Sequence, residues 1–191
     1  PRTLSVPSGE GLGVGDLDSD GDLDVIISGR WYENTGDIIG GPWTEHLFTT
    51  SYSQPNVVVA TGLINNDDRL DIVLSPAEPS GQFSSIVWFE APVDPTNLFA
   101  EHPIQDPVDS VVHGLQLDDF DLDGAVDVAT AEMHTGSDPD EVTLHFNGGN
   151  GTTWTQQVLS TEGSHTIRVG DIDGDGDPDL FGANWNGGAP D

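Results

Sequence analysis

The sequence predicts an all-β fold, a β-propeller of about four blades or an arc of a larger propeller. The first observation is an acidic nine-residue pattern that recurs at 16–24, 63–71, 119–127 and 171–179, which makes a repeat of roughly 50 residues. The second observation is that each complete repeat holds four short segments of strand length and no convincing helix. Four antiparallel strands make one propeller blade. We therefore expect residues 1–191 to form a single propeller domain or part of one.

The fourth loop, at 171–179, shows the acidic pattern most clearly. It has aspartates at positions 1, 3, 5 and 9 and a glycine, Gly176, at position 6. Carboxylates at positions 1, 3 and 5 can converge on one calcium ion, the carbonyl at position 7 joins them, and the glycine permits a sharp turn. In an EF-hand the last acid stands at position 12 and a helix follows. Here the last acid stands at position 9 and 180–183 is too short for a helix, so the loop is predicted to join two β-strands.

The loops at 16–24 and 119–127 are full copies, whereas the loop at 63–71 has Leu63 at position 1 and Arg69 at position 7. The pattern predicts about three calcium ions, one in each full copy, and a weak or empty site in the loop at 63–71. The predicted ligands of the full copies, with Ala125 contributing its carbonyl, are Asp16, Asp18, Asp20, Asp22, Asp24, Asp119, Asp121, Asp123, Ala125, Asp127, Asp171, Asp173, Asp175, Asp177 and Asp179. The corresponding candidates in the decayed copy are Asn65, Asp67 and Asp71.

Each loop is flanked by apolar or β-branched segments, which are typical of strands. In the third repeat we predict a first strand over 111–117, a second over 128–131, a third over 142–147 and a fourth over 154–159. Residues 2–6 match the fourth segment, so the chain is predicted to open with a last strand and to end after a second strand, near Trp185. This frame leaves partial blades at both ends. They could pair to complete a small four-bladed ring, but we favour an open arc that self-associates or takes blades from a longer protein.

Composition excludes some functions. The chain has 4 basic and 34 acidic residues, a formal net charge of -30 and no cysteine. Such a charge argues against nucleic acid as a partner, because phosphate binding needs lysine and arginine. No apolar run is long enough to span a membrane, so we expect no membrane insertion. A salt-adapted surface is an alternative reason for the many acidic residues, but their concentration in the loops favours metal binding. Calcium loops fill where calcium is millimolar, which favours a location outside the cell.

The repeated loops, their flanking strands and the segment 31–34 resemble the FG-GAP/VCBS-type repeat of integrin α-subunit propellers and many bacterial extracellular proteins. The resemblance implies calcium in the hairpins between first and second strands, on one rim, and an extracellular or cell-surface location. It implies no single activity, because such propellers occur in adhesins, lectin-like modules and lyases. The second repeat, with Leu63 and Arg69, departs from the pattern, and the chain is short for a seven-bladed ring.

A second candidate site is expected on the opposite rim. His113 and His165 both stand six residues before their loops, and Glu132 and Asn184 both stand five residues after theirs. We expect these side chains, with His134, to face the central channel, where they could bind a second metal or a sugar or perform acid–base chemistry. The alternative is that the histidines bond to backbone at the blade junction.

The tryptophans recur at repeat positions, which favours packing between blades, although Trp185 beside Asn184 could instead stack on a carbohydrate. The leading function is an extracellular binding module for a carbohydrate or a protein. The alternative classes are a lyase- or dehydratase-like sugar-active enzyme that uses His113, His165 and Glu132, and a purely structural part of a larger secreted protein.

Overall fold

A computed structural model of the chain describes Leu4, Val6 and residues 10–37, 39–52, 56–78, 83–109, 111–137 and 139–184. These residues contain β-strands and no helix. The strands are β1 Gly13–Gly15, β2 Asp24–Ile27, β3 Arg30–Asn34, β4 Trp43–Leu47, β5 Val57–Gly62, β6 Asp71–Pro76, β7 Phe83–Glu90, β8 Ala100–Asp109, β9 Val112–Asp118, β10 Asp127–Glu132, β11 Val142–Asn147, β12 Trp154–Ser160, β13 Thr166–Gly170 and β14 Asp179–Ala183. The expected all-β class is confirmed.

The strands form four antiparallel sheets, each of which follows chain order. Among the described residues, the first three sheets have four strands each, β1 to β4, β5 to β8 and β9 to β12, and the fourth has β13 and β14. In every sheet an acidic loop connects the first strand to the second, and its position 9 is the first residue of the second strand. The predicted strand–loop–strand hairpins and the four-stranded repeat are therefore present.

The sheets stack face to face because their apolar residues face the neighbouring sheet. Three hydrophobic clusters fill the three interfaces in chain order, and Trp31, Trp88 and Ile167 are central members of the first, second and third cluster. The second strand β6 is buried along its whole length, as expected for an apolar strand with a sheet on either side. The fourth strand β12 is largely exposed and polar, as suits a sheet edge.

The first strands lie closest to one another. A Cβ atom added to Gly13 of β1 would come within 2.8 Å of Val59 on β5, and one added to Gly114 of β9 would come within 2.8 Å of Ile167 on β13. Glycine is required at these positions because any larger side chain would meet the next sheet. The first strands of successive sheets therefore line the inner side of the stack, and the acidic loops all lie at the same end of it.

The chain was expected to open with a last strand over 2–6 and to end after a second strand, near Trp185, and most of these residues lie outside the described ranges. Leu4 and Val6 are not in a strand, and the rest of the predicted opening strand over 2–6 is not described, nor is Trp185. Within the described ranges, no β-pairing joins the first sheet to the fourth. The structure is therefore a stack of propeller-like sheets without a demonstrated closed ring.

Candidate metal loops and the opposite rim

Three of the four loops bring the same carboxylates together. In each, oxygen atoms from the aspartates at positions 1, 3 and 9 all lie within 4.8 Å of one another. Two ligands on opposite sides of a calcium ion would be about 4.8 Å apart, because calcium–oxygen distances are 2.3–2.6 Å. The three groups are Asp16, Asp18 and Asp24; Asp119, Asp121 and Asp127; and Asp171, Asp173 and Asp179.

The loop backbone aims its amides at the first aspartate. In the loop at 16–24, Ser19 and Gly21 have left-handed φ angles of 60° and 96°, at positions 4 and 6. This double turn lets the N–H groups of Asp20 and Gly21 donate to the two carboxylate oxygens of Asp16 at 3.1 and 3.0 Å. Equivalent bonds hold Asp119 and Asp171 in the other two loops. The position-1 carboxylate is therefore oriented by local backbone alone.

The aspartate at position 9 is a buried structural element in every repeat that has a third strand. Asp24 is fully buried and accepts the N–H groups of Leu17 and Asn34, both at 2.9 Å. Asp71 and Asp127 make the same two kinds of bond. Burial raises the pKa of Asp24 and Asp71 to about 6 and raises that of Asp127, although the amide bonds oppose the shift. This side chain therefore links the loop to the core through two backbone amides.

The remaining loop carboxylates are crowded without a positive side chain among them. The pKa of Asp18 is raised by burial and by the adjacent charge of Asp20. The position-5 carboxylates of Asp20 and Asp123 accept the N–H of position 7 in their own loops, at 2.9 and 2.8 Å. A set of hard oxygen donors with mutual repulsion fits calcium, which takes 6–8 oxygen ligands. Calcium itself, and the ligand roles of positions 5 and 7, stay predictions.

The loop at 63–71 has a different arrangement, and the described residues show no comparable carboxylate group there. Leu63 occupies position 1 and is 44% exposed. The guanidinium of Arg69 binds the Asp67 carboxylate, and its Nε donates to the carbonyl of Ala91 at 2.7 Å. Asn65 also donates to Asp67, at 3.2 Å. Arginine thus supplies a positive charge within the loop, which gives a physical reason for the predicted weak or empty site.

At the opposite rim the structure brings the two predicted histidines into contact. The ring centroids of His113 and His165 are 4.3 Å apart, and His113 Nδ1 lies 3.0 Å from the carbonyl oxygen of His165. The N–H of His165 donates to Asn184 Oδ1 at 3.2 Å, and Asn184 Nδ2 donates to the carbonyl of Gly163. Burial lowers the pKa of His165, and His113 and His134 lower it further. The alternative expectation, backbone bonding at the blade junction, therefore describes part of this geometry.

Glu132 is directed elsewhere. Its carboxylate accepts the N–H of Glu141 at 2.9 Å and lines a small cavity with Gln105, Val112 and Thr130. Burial raises the pKa of Glu132 to about 7, with smaller contributions from neighbouring acids. The repeat offsets had led us to expect this carboxylate beside the histidine rings. The structure does not place it there, because the side chain turns into the interface between the second and third sheets.

Two carboxylates that the sequence reasoning missed lie at this rim. Glu10 Oε2 is 3.6 Å and Glu78 Oε1 is 3.8 Å from His113 Nε2. Glu10 stands six residues before Asp16, the same offset that singled out the two histidines, so the repeat frame could have identified it. Glu78 stands seven residues after Asp71, the same offset at which His134 follows Asp127, so the repeat frame could have identified it as well.

The tryptophans at the third strands serve packing, as expected. Trp31 and Trp88 are 0% and 1% exposed, and each stacks on a histidine of the fourth strand, His46 or His102, at 4.4 and 4.5 Å between ring centroids. Trp88 Nε1 also donates to the carbonyl of Gly151 in the next sheet at 2.9 Å. These rings therefore connect strands and sheets.

A family model described as "FG-GAP-like repeat" matches residues 119–182. The chain contains an FG-GAP-like repeat. The match runs from the third acidic loop through β10 to β14 and includes the fourth loop, so it confirms the expected FG-GAP/VCBS-type resemblance over both loops. A comparison with curated proteins finds no match.

FG-GAP-like repeats are typical of extracellular proteins and indicate a β-propeller-like module. Across the ranges that the structure describes, no helix is long and apolar enough to cross a membrane. The loop at 16–24 has the same carboxylate group and amide bonds as the loops inside the matched region, so the repeat geometry extends to the first sheet.

Proposed function

We propose that the chain is a calcium-stabilised extracellular binding module. The observation that carries the proposal is the recurrence of one carboxylate geometry, positions 1, 3 and 9 within 4.8 Å, in three separate loops. A general acidic surface would have no reason to repeat this arrangement or to orient the position-1 carboxylate with the same two amides. The hard oxygen donors suit calcium better than a thiol- or imidazole-seeking metal.

Calcium would act by neutralising the crowded carboxylates at one end of the sheet stack. Each of the first three loops connects a first strand, which packs against the next sheet, to a largely buried second strand. An ion held by Asp119, Asp121 and Asp127 would therefore fix the relative position of β9 and β10. A sheet stack held in this way offers rigid rims for a carbohydrate or an extracellular protein ligand.

The geometry favours binding over catalysis. The enzyme alternative requires Glu132 beside His113 and His165, and the Glu132 carboxylate instead accepts the amide of Glu141 between two sheets. The carboxylates that approach His113 are instead those of Glu10 and Glu78, which the enzyme alternative did not assign.

The experiment is calorimetric titration of the metal-free chain with calcium. We expect about three sites, one for each full loop, with Asp171→Asn removing one of them. The matched control is Asp67→Asn in the second loop, which should leave the count unchanged because Arg69 already binds that carboxylate. A count of zero or one would overturn the calcium proposal.

The binding role has its own test. The calcium-loaded chain is probed against immobilised glycans and extracellular-matrix proteins, with the calcium-free chain in parallel. Saturable binding that requires calcium would support a binding module. A fully folded, calcium-loaded chain that binds neither class would indicate a structural part of a larger protein.

A further inference from the structure

We propose that Glu10, Glu78 and His113 form a binding site for one divalent transition-metal ion, of which zinc fits the ligand set well. The site lies at the rim opposite the acidic loops and is independent of the calcium proposal. Its three ligand atoms, two carboxylate oxygens and one imidazole nitrogen, all lie within 4.8 Å of one another.

The three residues come from three successive sheets. Glu10 precedes β1, Glu78 follows β6, and His113 is the second residue of β9. The acidic loops follow β1 and β9 and precede β6, so all three ligands are at the opposite end of the stack. Glu10 is kept near the second sheet by a bridge to Asn56. An ion at this point would connect the inner edges of three sheets.

The tautomer of His113 favours metal binding. Its Nδ1 lies 3.0 Å from the carbonyl oxygen of His165, and a carbonyl can only accept, so Nδ1 carries the proton and donates. In the neutral ring, Nε2 then has a lone pair, and this nitrogen faces Glu10 and Glu78. A backbone carbonyl that fixes the other ring nitrogen is the usual support for a histidine ligand.

The distances fit a shared ion better than direct hydrogen bonds. Nε2 lies 3.6 Å from Glu10 Oε2 and 3.8 Å from Glu78 Oε1, which exceeds the hydrogen-bond range of 2.7–3.2 Å. In a tetrahedral zinc site with bonds of about 2.1 Å, neighbouring ligand atoms are about 3.4 Å apart. Each carboxylate oxygen is therefore within a few tenths of an ångström of the separation from Nε2 that such a site needs.

Charge also points to a cation. Within the described residues, Glu10 and Glu78 both approach His113 Nε2, and neither has a lysine or arginine at ion-pair distance. Two carboxylates beside an imidazole, in a chain of formal net charge -30, form a site that a dication would stabilise. The nitrogen ligand distinguishes this site from the oxygen-only loops, because imidazole suits zinc and similar metals and calcium prefers oxygen.

The coordination by the protein is incomplete, which leaves room for an exogenous ligand. Three protein ligands around zinc leave one position for water or for a substrate oxygen. The side chains of Glu10, Glu78 and His113 are 54%, 39% and 21% exposed, so the position is open to solvent. A hydroxyl or carboxylate of a bound molecule could therefore coordinate the ion directly.

The test uses Co²⁺, whose visible absorption reports nitrogen and oxygen ligation, added to the purified chain in saturating calcium so that the acidic loops are filled. We expect one saturable site whose spectrum is lost on competition with zinc. His113→Ala should weaken cobalt binding at least tenfold, because even residues that only support a ligand alter metal affinity 10–100-fold. Glu78→Gln, at an exposed side chain, should also weaken cobalt binding, and it keeps the contact between the His113 and His165 rings.

The matched control is His102→Ala. His102 is also a partly exposed histidine beside a glutamate, with His102 Nε2 3.0 Å from Glu90, but it faces one carboxylate and not two. This variant should bind cobalt like the unmodified chain. Absence of a saturable site, or binding that neither His113→Ala nor Glu78→Gln weakens, would overturn the proposal. Failure of the calcium titration would not count against this site, because the acidic loops use other residues and offer no nitrogen ligands.

Discussion

The buried carboxylate of Asp127 accepts the backbone N–H of Asn147 at 2.8 Å and so connects the third acidic loop to β11, the third strand of its sheet. Its other oxygen accepts the N–H of Phe120, inside the loop. Asp71 makes the same pair of bonds in the second repeat, where the loop has no complete metal group. The position-9 aspartate therefore has a structural role that is separable from metal binding.

We expect Asp71→Ala to lower the free energy of unfolding by about 2–4 kcal/mol, because it leaves two buried N–H groups without an acceptor. The loss should be the same with and without calcium. Asp127→Ala should lose a similar amount without calcium and more with it, because it also removes a metal ligand. Denaturant unfolding in calcium and in chelator measures both, and a calcium-dependent loss for Asp71→Ala would contradict the separation of roles.

Removal of calcium should destabilise the whole stack. Each filled site adds about 2.7 kcal/mol to the free energy of unfolding when free calcium is a hundredfold above Kd. Excess chelator should therefore lower Tm by many degrees, and Asp173→Ala, which removes one ligand of the fourth loop, should reproduce part of that decrease. An unchanged melt in chelator would mean that the loops are acidic turns without a metal role.

The second loop can be tested by repair. Leu63→Asp, Asn65→Asp, Asp68→Gly and Arg69→Ala together restore the acids at positions 1 and 3 and the glycine at position 6 and remove the internal cation. Leu63 is 44% exposed, so an aspartate there faces solvent. We expect the calorimetric count to rise from about three calcium ions to about four.

The control for the repair is Arg69→Ala alone. It frees Asp67 but leaves position 1 apolar, so it should add no full-affinity site. If the fourfold variant folds and still binds no additional calcium, position 1 and the glycine are not what the second loop lacks.

Glu132 should give the chain a distinct pH dependence. Its pKa rises from an ordinary 4.5 to about 7 in the fold, so between these values the folded state holds a proton that the unfolded state has lost. The free energy of unfolding should therefore fall as pH rises through this window. Glu132→Gln keeps an acceptor for the Glu141 amide and removes the titration. It should be more stable than the unmodified chain by about 1–2 kcal/mol at pH 8, after allowance for partial exposure, and equal to it near pH 4.

The unmodified chain and Glu132→Gln must be compared at each pH, because His145 also makes the free energy of unfolding depend on pH, with the opposite sign. Burial lowers the pKa of His145 to about 4, so its share of the stability is lost as pH falls below 6.5. This contribution is common to both chains and cancels in their difference. A difference that stays constant between pH 4 and pH 8 would contradict the assignment to Glu132.

The two-stranded fourth sheet should promote association. In the described part of the chain β14 pairs only with β13, and Phe181 on it is 51% exposed. A cavity of about 160 Å³, lined by Leu159 and Leu180 among others, lies between this sheet and the third. Sheet edges with exposed apolar residues recruit further strands. We expect sedimentation equilibrium in calcium to show self-association that Phe181→Lys reduces, and a strictly monomeric chain at high concentration would instead indicate that the edge is covered within one molecule.

The repeat, the strand–loop–strand hairpins and the carboxylates of three acidic loops could all be predicted from the amino-acid sequence. These features are local: the ligands lie within nine residues, and the backbone at Ser19 and Gly21 or their equivalents brings them together without help from other sheets. The number of strands per repeat follows for the same reason, because apolar segments and turns alternate along the chain.

Tertiary packing sets which groups meet between sheets. It brings Glu10 and Glu78 to His113 from three successive sheets, and it directs Glu132 into the interface between the second and third sheets and away from the histidines. Repeat offsets predict the rim on which a residue stands, but the direction of a side chain depends on how neighbouring sheets pack. Contacts between residues far apart in sequence are selected by the burial and charge of the assembled fold, which no local pattern encodes.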